Sequence, residues 1–136
     1  MRRAVTGDLA ALLPLIRAFY ALDRHAYDEA TVTAALGPLL AGDDWGQVWV
    51  LDGDSGLAGY AIVTWSYSLE SGGRDCILDE IYVADTGHGQ GSQLLTRALE
   101  EARAWGRRRS FSKPRHTTAS CPSTPGTASS SRTRCG

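Results

Sequence analysis

Two kinds of chemically useful group lie close together between residues 78 and 92 of the 136-residue chain. Asp79 and Glu80 are adjacent carboxylates in an otherwise apolar segment, LDEIYV, whose β-branched and aromatic residues favour a strand. Gly87, Gly89 and Gly91 follow that segment. A carboxylate in apolar surroundings can remove a proton, and a glycine-rich turn can bring backbone N–H groups close to a phosphate. The segment therefore combines a candidate general base with a candidate anion site.

An amphipathic helix follows the glycines, because apolar residues recur at helical spacing. They are Leu94, Leu95, Ala98, Leu99, Ala102 and Trp105. The unpaired N–H groups of its first turn and the positive end of its dipole suit a phosphate or pyrophosphate. A loop that binds nothing is the alternative, and spacing alone does not decide between them. A nucleotide-triphosphate loop is excluded because no Lys precedes Lys113, and a dinucleotide fingerprint would need glycine at Ser92 or Leu94.

The two carboxylates need an explanation, since burying an unpaired charge is unfavourable. Neighbours on a strand point to opposite faces, so we expect only one of Asp79 and Glu80 to face a groove, and we favour Glu80. The alternative is a structural pair at a strand end, held by Arg74 or by solvent.

The elements that must position these groups come in the order helix, helix, three strands, glycine turn, helix. The first helix begins after Thr6 or Asp8 and runs to about Leu22, and Asp28 caps the second, over 29–40. Strands are predicted over 46–51 and 57–69, with a third ending at Val83. The middle strand is apolar on both faces, which predicts a central strand in a sheet covered on both sides.

The Gly-Gln-Gly of residues 89–91, placed after a strand, resembles the pyrophosphate loop of the GNAT N-acetyltransferase superfamily, whose pattern is Gln/Arg-x-x-Gly-x-Gly/Ala. The pair Leu94 and Leu95, and the segment 79–83, also lie where that family carries a Leu-Leu pair and a strand of the type Glu-Asp-Ile-Tyr-Val. Thr86 stands at the position of the family's Gln or Arg. The link from Val83 to the glycines is a couple of residues shorter than in the family. The resemblance covers about residues 1–106.

The resemblance implies an α/β sandwich with a mixed, mostly antiparallel sheet, truncated here after the third helix. It implies transfer of an acetyl group from acetyl-CoA to a primary amine of a small molecule or protein, without a metal. Glu80 or Asp79 would take the proton, directly or through water, although a bulge common in this region of the family makes face counting unreliable. The implied acetyl-CoA contacts are Ile81, Tyr82, Val83, Thr86, Gly87, His88, Gly89, Gln90, Gly91 and Ser92.

Residues 107–136 differ in composition from the rest of the chain. They contain seven of the 14 basic residues and none of the 15 acidic ones, so the preceding part has a net charge of −8. Richness in Ser, Thr, Pro and Gly without periodicity predicts a disordered basic tail. The family would instead have a fifth strand, a helix and two further strands. Out-of-frame translation is a second hypothesis: a one-base shift permits a string resembling the fifth strand across 111–118. Either way, we expect an open sheet edge and an incomplete cofactor groove.

The partners expected are acetyl-CoA and an amine acceptor, with pairing of two copies through the open edge as an option. The rival interpretation is a non-catalytic acetyl-CoA-binding or interaction module whose basic tail contacts nucleic acid. No apolar run approaches the roughly 20 residues that cross a bilayer, so a membrane is not expected as a partner. The N-terminus does not read as a signal peptide, and we expect a cytoplasmic protein. Three widely spaced cysteines suggest neither a metal site nor a disulfide framework.

Overall fold

The computed structural model describes the backbone of residues 1–109 and 133–135, and the side chains of residues 1–106. A five-stranded sheet in the order β1-β2-β3-β4-β5 carries helices on both faces. The strands are β1 (Arg2–Arg3), β2 (Gly46–Gly53), β3 (Gly56–Ser68), β4 (Gly73–Val83) and β5 (Thr133–Cys135). A 3-10 turn (Thr6–Asp8) precedes α1 (Leu9–Leu22), followed along the chain by α2 (Glu29–Ala41) and α3 (Gln90–Arg109).

The α/β fold and the order of elements predicted from the sequence are confirmed. Every described strand pair is antiparallel, so the expected mixed sheet shows no parallel pair among these residues. Asp28 caps α2 as expected, accepting a hydrogen bond from the Thr31 N–H at 3.1 Å. Asp8 acts differently: its carboxylate accepts from the Val5 N–H at 2.8 Å and pairs with the Arg2 guanidinium, which ties β1 to the start of α1.

The central strand β3 divides the core into two apolar layers, because successive side chains point to opposite faces. Tyr60 and Ile62 pack towards α1 and α2, whereas Ala61 and Val63 pack towards α3. The prediction of a central strand covered on both sides is therefore confirmed. Buried residues of the α1/α2 layer include Leu12, Ile16, Val32, Leu36, Leu40, Val48 and Val50, and those of the α3 layer include Trp49, Cys76, Leu78, Leu94, Ala98 and Ala102.

The end of the described chain departs from the expected truncation. α3 continues to Arg109, past the predicted domain end at residue 106, and β5 pairs with residues 76–78 of β4. The expectation of an open edge is wrong over those three residues of β4. Residues 79–83 of β4 pair only with β3 among the described strands. Residues 110–132 and 136 lie outside the described residues, so disorder, a displaced frame and nucleic-acid contact remain predictions for the tail.

Candidate active site

A β-bulge in β4 determines where the two carboxylates lie. Glu80 is opposite Ile62 and Leu78 is opposite Val63, so Asp79 is the extra residue of the bulge. Leu78 and Ile81 both pack in the α3 layer, while Asp79 and Glu80 both line a cavity on the α1/α2 side. The expectation that only one of the two carboxylates could face the groove is wrong, because the bulge suspends the alternation of faces.

Glu80 is held by two tyrosines from different elements. The Tyr60 hydroxyl, on β3, donates to Oε2 of Glu80 at 2.9 Å, and the Tyr20 hydroxyl, on α1, donates to Oε1 at 3.1 Å. Arg74 lies elsewhere, with its guanidinium carbon 5.6 Å from the centroid of the Trp105 ring. The alternative of a pair held by Arg74 or solvent is therefore wrong for Glu80, whose carboxylate is fixed by phenol donors.

The electrostatics of this cluster favour a carboxylate that can accept a proton. Burial is the main cause that raises the pKa of Glu80, and the nearby charges of Asp79 and Asp23 raise it further, while the two phenol hydrogen bonds oppose the rise. Burial, then the charge of Glu80, raises the pKa of Tyr20 to about 12, and burial raises the pKa of Tyr60 more strongly. Both phenols therefore remain donors at neutral pH, and Glu80 is a stronger base than an exposed glutamate.

A cavity of about 110 Å³ opens beside these groups, between the sheet and the first two helices. Its other lining residues are aliphatic, apart from Tyr20: they are Ile16, Val32, Ala35, Leu36, Leu39 and Ile62. Two carboxylates thus meet a small apolar cavity. On the connection between α1 and α2, Nε2 of His25 is 3.0 Å from a carboxylate oxygen of Asp23, and the His25 ring centroid is 6.1 Å from that of Tyr20, which lines the cavity.

The glycine turn follows the same end of β4 that carries Glu80. Gly87 and Gly89 have φ values of +115° and +70°, which L residues rarely adopt, so the turn requires glycine for its conformation. The Gly89 carbonyl accepts from the Gln93 N–H at 3.1 Å and begins the hydrogen bonding of α3. The N–H groups of residues 90–92 precede any helical acceptor, so they point outward from the first turn.

The other residues predicted to contact acetyl-CoA lie at the end of β4 and in the turn that follows it. Ile81 and Val83 pack in the α3 layer, and Tyr82 packs on the opposite side, with its ring centroid 6.3 Å from that of Tyr60. Thr86 and His88 are exposed in the turn. Val83 is three positions after Glu80 on the strand, so the candidate base and the start of the turn are roughly 10 Å apart.

Sequence reasoning missed the two tyrosines that hold Glu80. Both pack with the apolar residues between the sheet and the first two helices, so their pattern along the chain is that of core residues. A signal was present nevertheless: a buried phenol needs a hydrogen-bond partner, and Glu80 is the carboxylate expected to turn to that side.

Among the described residues, no three His, Cys, Asp or Glu side chains are grouped so as to hold a metal ion. In the same part of the chain, no helix combines the length and apolar character needed to cross a membrane.

No family model and no curated protein matches the sequence. Solved structures do match: an acetyltransferase from Vibrio fischeri has a TM-score of 0.62 at 20% identity, over 77% of this chain and 87% of its own. The chain has the fold of GNAT-type acetyltransferases.

Two further structures show the same GNAT-type fold over most of their length. An integron cassette protein from the mobile metagenome of Cole Harbour Salt Marsh matches with a TM-score of 0.71 and 24% identity over 91% of each chain. A ribosomal-protein-alanine N-acetyltransferase from Brucella melitensis biovar Abortus matches with a TM-score of 0.55 and 18% identity, over 88% of this chain and 96% of its own. At these identities the likeness is one of fold.

Proposed function

We propose that this chain is an N-acetyltransferase that transfers the acetyl group of acetyl-CoA to a primary amine, with Glu80 as the general base. One observation carries the proposal. Glu80 is a half-buried carboxylate of raised pKa, fixed by Tyr20 and Tyr60 beside a cavity, on the strand that leads into the glycine turn. A base near the end of β4 and an anion site in the turn that follows it would hold an amine and a phosphate-bearing acyl donor together.

The proposed reaction converts an ammonium and a thioester into an amide and a free thiol. A bound ammonium gives one proton to Glu80, directly or through water, and the freed nitrogen lone pair attacks the thioester carbonyl carbon. The C–N bond forms and the C–S bond breaks, with its electron pair remaining on sulfur. Loss of the second N–H proton and protonation of the thiolate give the amide, free CoA and one net proton. No metal ion takes part in this sequence.

The described residues fit an acetyl-CoA molecule along β4 and the turn. Backbone groups of residues 81–83 lie at an edge where β4 has no second partner among the described strands, so an extended chain can hydrogen-bond there. The exposed turn 86–89 and the N–H groups of 90–92 would bind the pyrophosphate. Thr86 lacks the long donor side chain of Gln or Arg, which predicts weaker binding than a complete family loop gives.

The non-catalytic alternative, with a basic tail contacting nucleic acid, depends on residues outside the described part of the chain. A half-buried carboxylate of raised pKa at a cavity is more useful to a reaction than to binding alone, which favours the enzyme. A cytoplasmic location and pairing of two copies remain predictions.

The test combines calorimetry with acetyl-CoA and a thiol-release assay with several amines. Glu80→Gln should lower kcat by about 10²- to 10⁴-fold and leave the Kd for acetyl-CoA unchanged. Glu70→Gln removes the same charge from an exposed turn after β3 and is the matched control, with full activity expected. A folded chain that ignores acetyl-CoA at millimolar concentration, or a Glu80→Gln variant with full turnover, would overturn the proposal.

A further inference from the structure

The cavity beside Glu80 has a distinctive composition. Six of its nine lining residues are aliphatic, two are the carboxylates Asp79 and Glu80, and the ninth is Tyr20. No lining residue is cationic. A cavity of this kind stabilises a ligand that is positive at one end and hydrocarbon over the rest.

We propose that the acceptor is a small aliphatic primary amine whose body fills this cavity, with no anionic group. This inference rests on the proposed function, and it narrows the acceptor from any primary amine to one chemical class. The ammonium would lie at the two bulge carboxylates, and the hydrocarbon would lie between Ile16 of α1, Leu36 of α2 and Ile62 of β3.

The charges around the cavity favour a positively charged ligand. The bulge places Asp79 and Glu80 side by side, and the charge of Asp23 also acts on Glu80. Among the described side chains, Nε2 of His25 lies 3.0 Å from a carboxylate oxygen of Asp23, and the guanidinium carbon of Arg17 lies 5.8 Å from the centroid of the Tyr27 ring. An acceptor carboxylate or phosphate would meet negative charge and apolar walls, so anionic amines should be rejected.

The volume limits the size of the hydrocarbon. An apolar cavity of about 150 Å³ holds benzene, so by the same ratio a cavity of about 110 Å³ holds roughly four carbon atoms. Each buried methylene is worth about 0.8 kcal/mol, which is about a fourfold change in kcat/KM. We therefore expect kcat/KM to rise about fourfold per carbon from ethylamine to butylamine, and to level off beyond it because longer tails remain in solvent.

Three amines of equal length separate charge from size. Butylamine, 1,3-diaminopropane and 4-aminobutyrate share three methylenes and differ only in what the far end carries: a methyl group, a second ammonium or a carboxylate. The butylamine kcat/KM should exceed that of the diamine by at least about tenfold, because the second ammonium would enter an apolar region. The carboxylate compound should be the poorest acceptor of the three.

A pair of variants tests whether the acceptor binds in this cavity. Ala35 lines the cavity from an exposed position on α2, and Ala34, also exposed, does not line it. Ala35→Leu should lower kcat/KM for butylamine about tenfold and leave that for ethylamine nearly unchanged, whereas Ala34→Leu should change neither. Far-ultraviolet circular dichroism and the melting temperature check that both variants fold.

The outcomes separate this inference from the function on which it rests. If no amine releases thiol, the acetyltransferase proposal fails and the inference falls with it. If amines turn over but 4-aminobutyrate or the diamine matches butylamine, only the acceptor class is wrong. An Ala35→Leu variant with unchanged selectivity for chain length would place the acceptor outside this cavity and overturn the inference.

Discussion

The two faces of the sheet share the same strands but differ in how they are filled. On the α3 face, the rings of Trp65 and Trp105 stack with centroids 4.2 Å apart and an interplanar angle of 3°. The same face buries small and large apolar residues of α3, including Leu94 and Ala98, completely. On the α1/α2 face, the apolar layer is interrupted by Glu80, its phenol partners and an open cavity.

The difference shows that one face stabilises the fold while the other holds the candidate chemistry. A carboxylate on the α3 face would lie among closely packed aromatic and aliphatic groups, where a charge is unfavourable. The bulge at Asp79 avoids this outcome by turning both carboxylates to the face where tyrosines and space are present. If this contrast is correct, changes at buried residues of the α3 face should act on stability alone, whereas changes around the cavity on the other face should act mainly on activity.

The largest effect is expected from removing the aromatic stack. Trp105 is 6% exposed, so Trp105→Ala should lower the free energy of unfolding by about 3–5 kcal/mol through lost burial and a cavity. Urea denaturation followed by circular dichroism measures the change. The control is Trp45→Ala, because Trp45 is 69% exposed and should cost less than about 1 kcal/mol. Equal losses in the two variants would show that α3 does not anchor the fold.

The same substitution of alanine by leucine, made once on each face of the sheet, compares the free space on the two faces. Ala98 belongs to α3 and is fully buried against the sheet. Ala98→Leu should therefore overpack that layer and lower the free energy of unfolding by about 1–3 kcal/mol. Ala35→Leu, at the cavity on the other face, should change stability by less than about 0.5 kcal/mol. Thermal unfolding of both variants checks this. A larger loss for Ala35→Leu would mean that the cavity side is the tightly packed one.

The sequence predicted the elements well because they depend on local patterns. Helical spacing in α3, the Asp28 cap and the doubly apolar β3 each report on a single segment, and each is where it was expected. The strand that carries the candidate base, and the glycine turn after it, were also placed correctly along the chain.

The arrangement of the candidate site could not be predicted in the same way. Whether Asp79 and Glu80 share a face depends on a mismatch between β3 and β4, which involves two strands rather than one. The contact of Tyr20 with Glu80 joins residues 60 positions apart, and no local period encodes it. The pairing of β5 with residues 76–78 likewise needed a segment in which composition showed no strand.

Two carboxylates on the α1/α2 side should give opposite pH dependences of stability. The hydrogen bond and charge of Arg2 lower the pKa of Asp8 from 3.8 to about 2. Its contribution is therefore present above pH 3.8 and is lost as the pH falls towards 2. Asp8→Asn should cost about 1 kcal/mol at pH 7, and the difference from the unmodified protein should close as the pH falls through this range.

Glu80 should give the opposite pH dependence of stability, because burial is the main cause that raises its pKa above the ordinary 4.5. Below pH 4.5 the protonated carboxyl is tolerated, and stability is lost as the pH rises through the folded-state pKa. Glu80→Gln should therefore gain stability relative to the unmodified protein above pH 4.5. Chemical denaturation at several pH values measures both variants. If the two pH profiles have the same sign, the electrostatic assignment of one carboxylate is wrong.

The smallest effect expected is a shift in the pH dependence of activity when one phenol is removed. Each hydroxyl stabilises the charged form of Glu80, so Tyr60→Phe should raise the pKa of Glu80 further. The acid limb of the kcat/KM profile should then move to higher pH by about one unit. Tyr20→Phe should move it less, because its hydrogen bond is longer, 3.1 Å against 2.9 Å, and its hydroxyl is nearer to solvent. Tyr67→Phe, on an exposed part of β3, is the control and should leave the limb in place. A limb that stays in place in both phenol variants would mean that another group accepts the proton, and the functional contrast between the two faces of the sheet would lose its chemical basis.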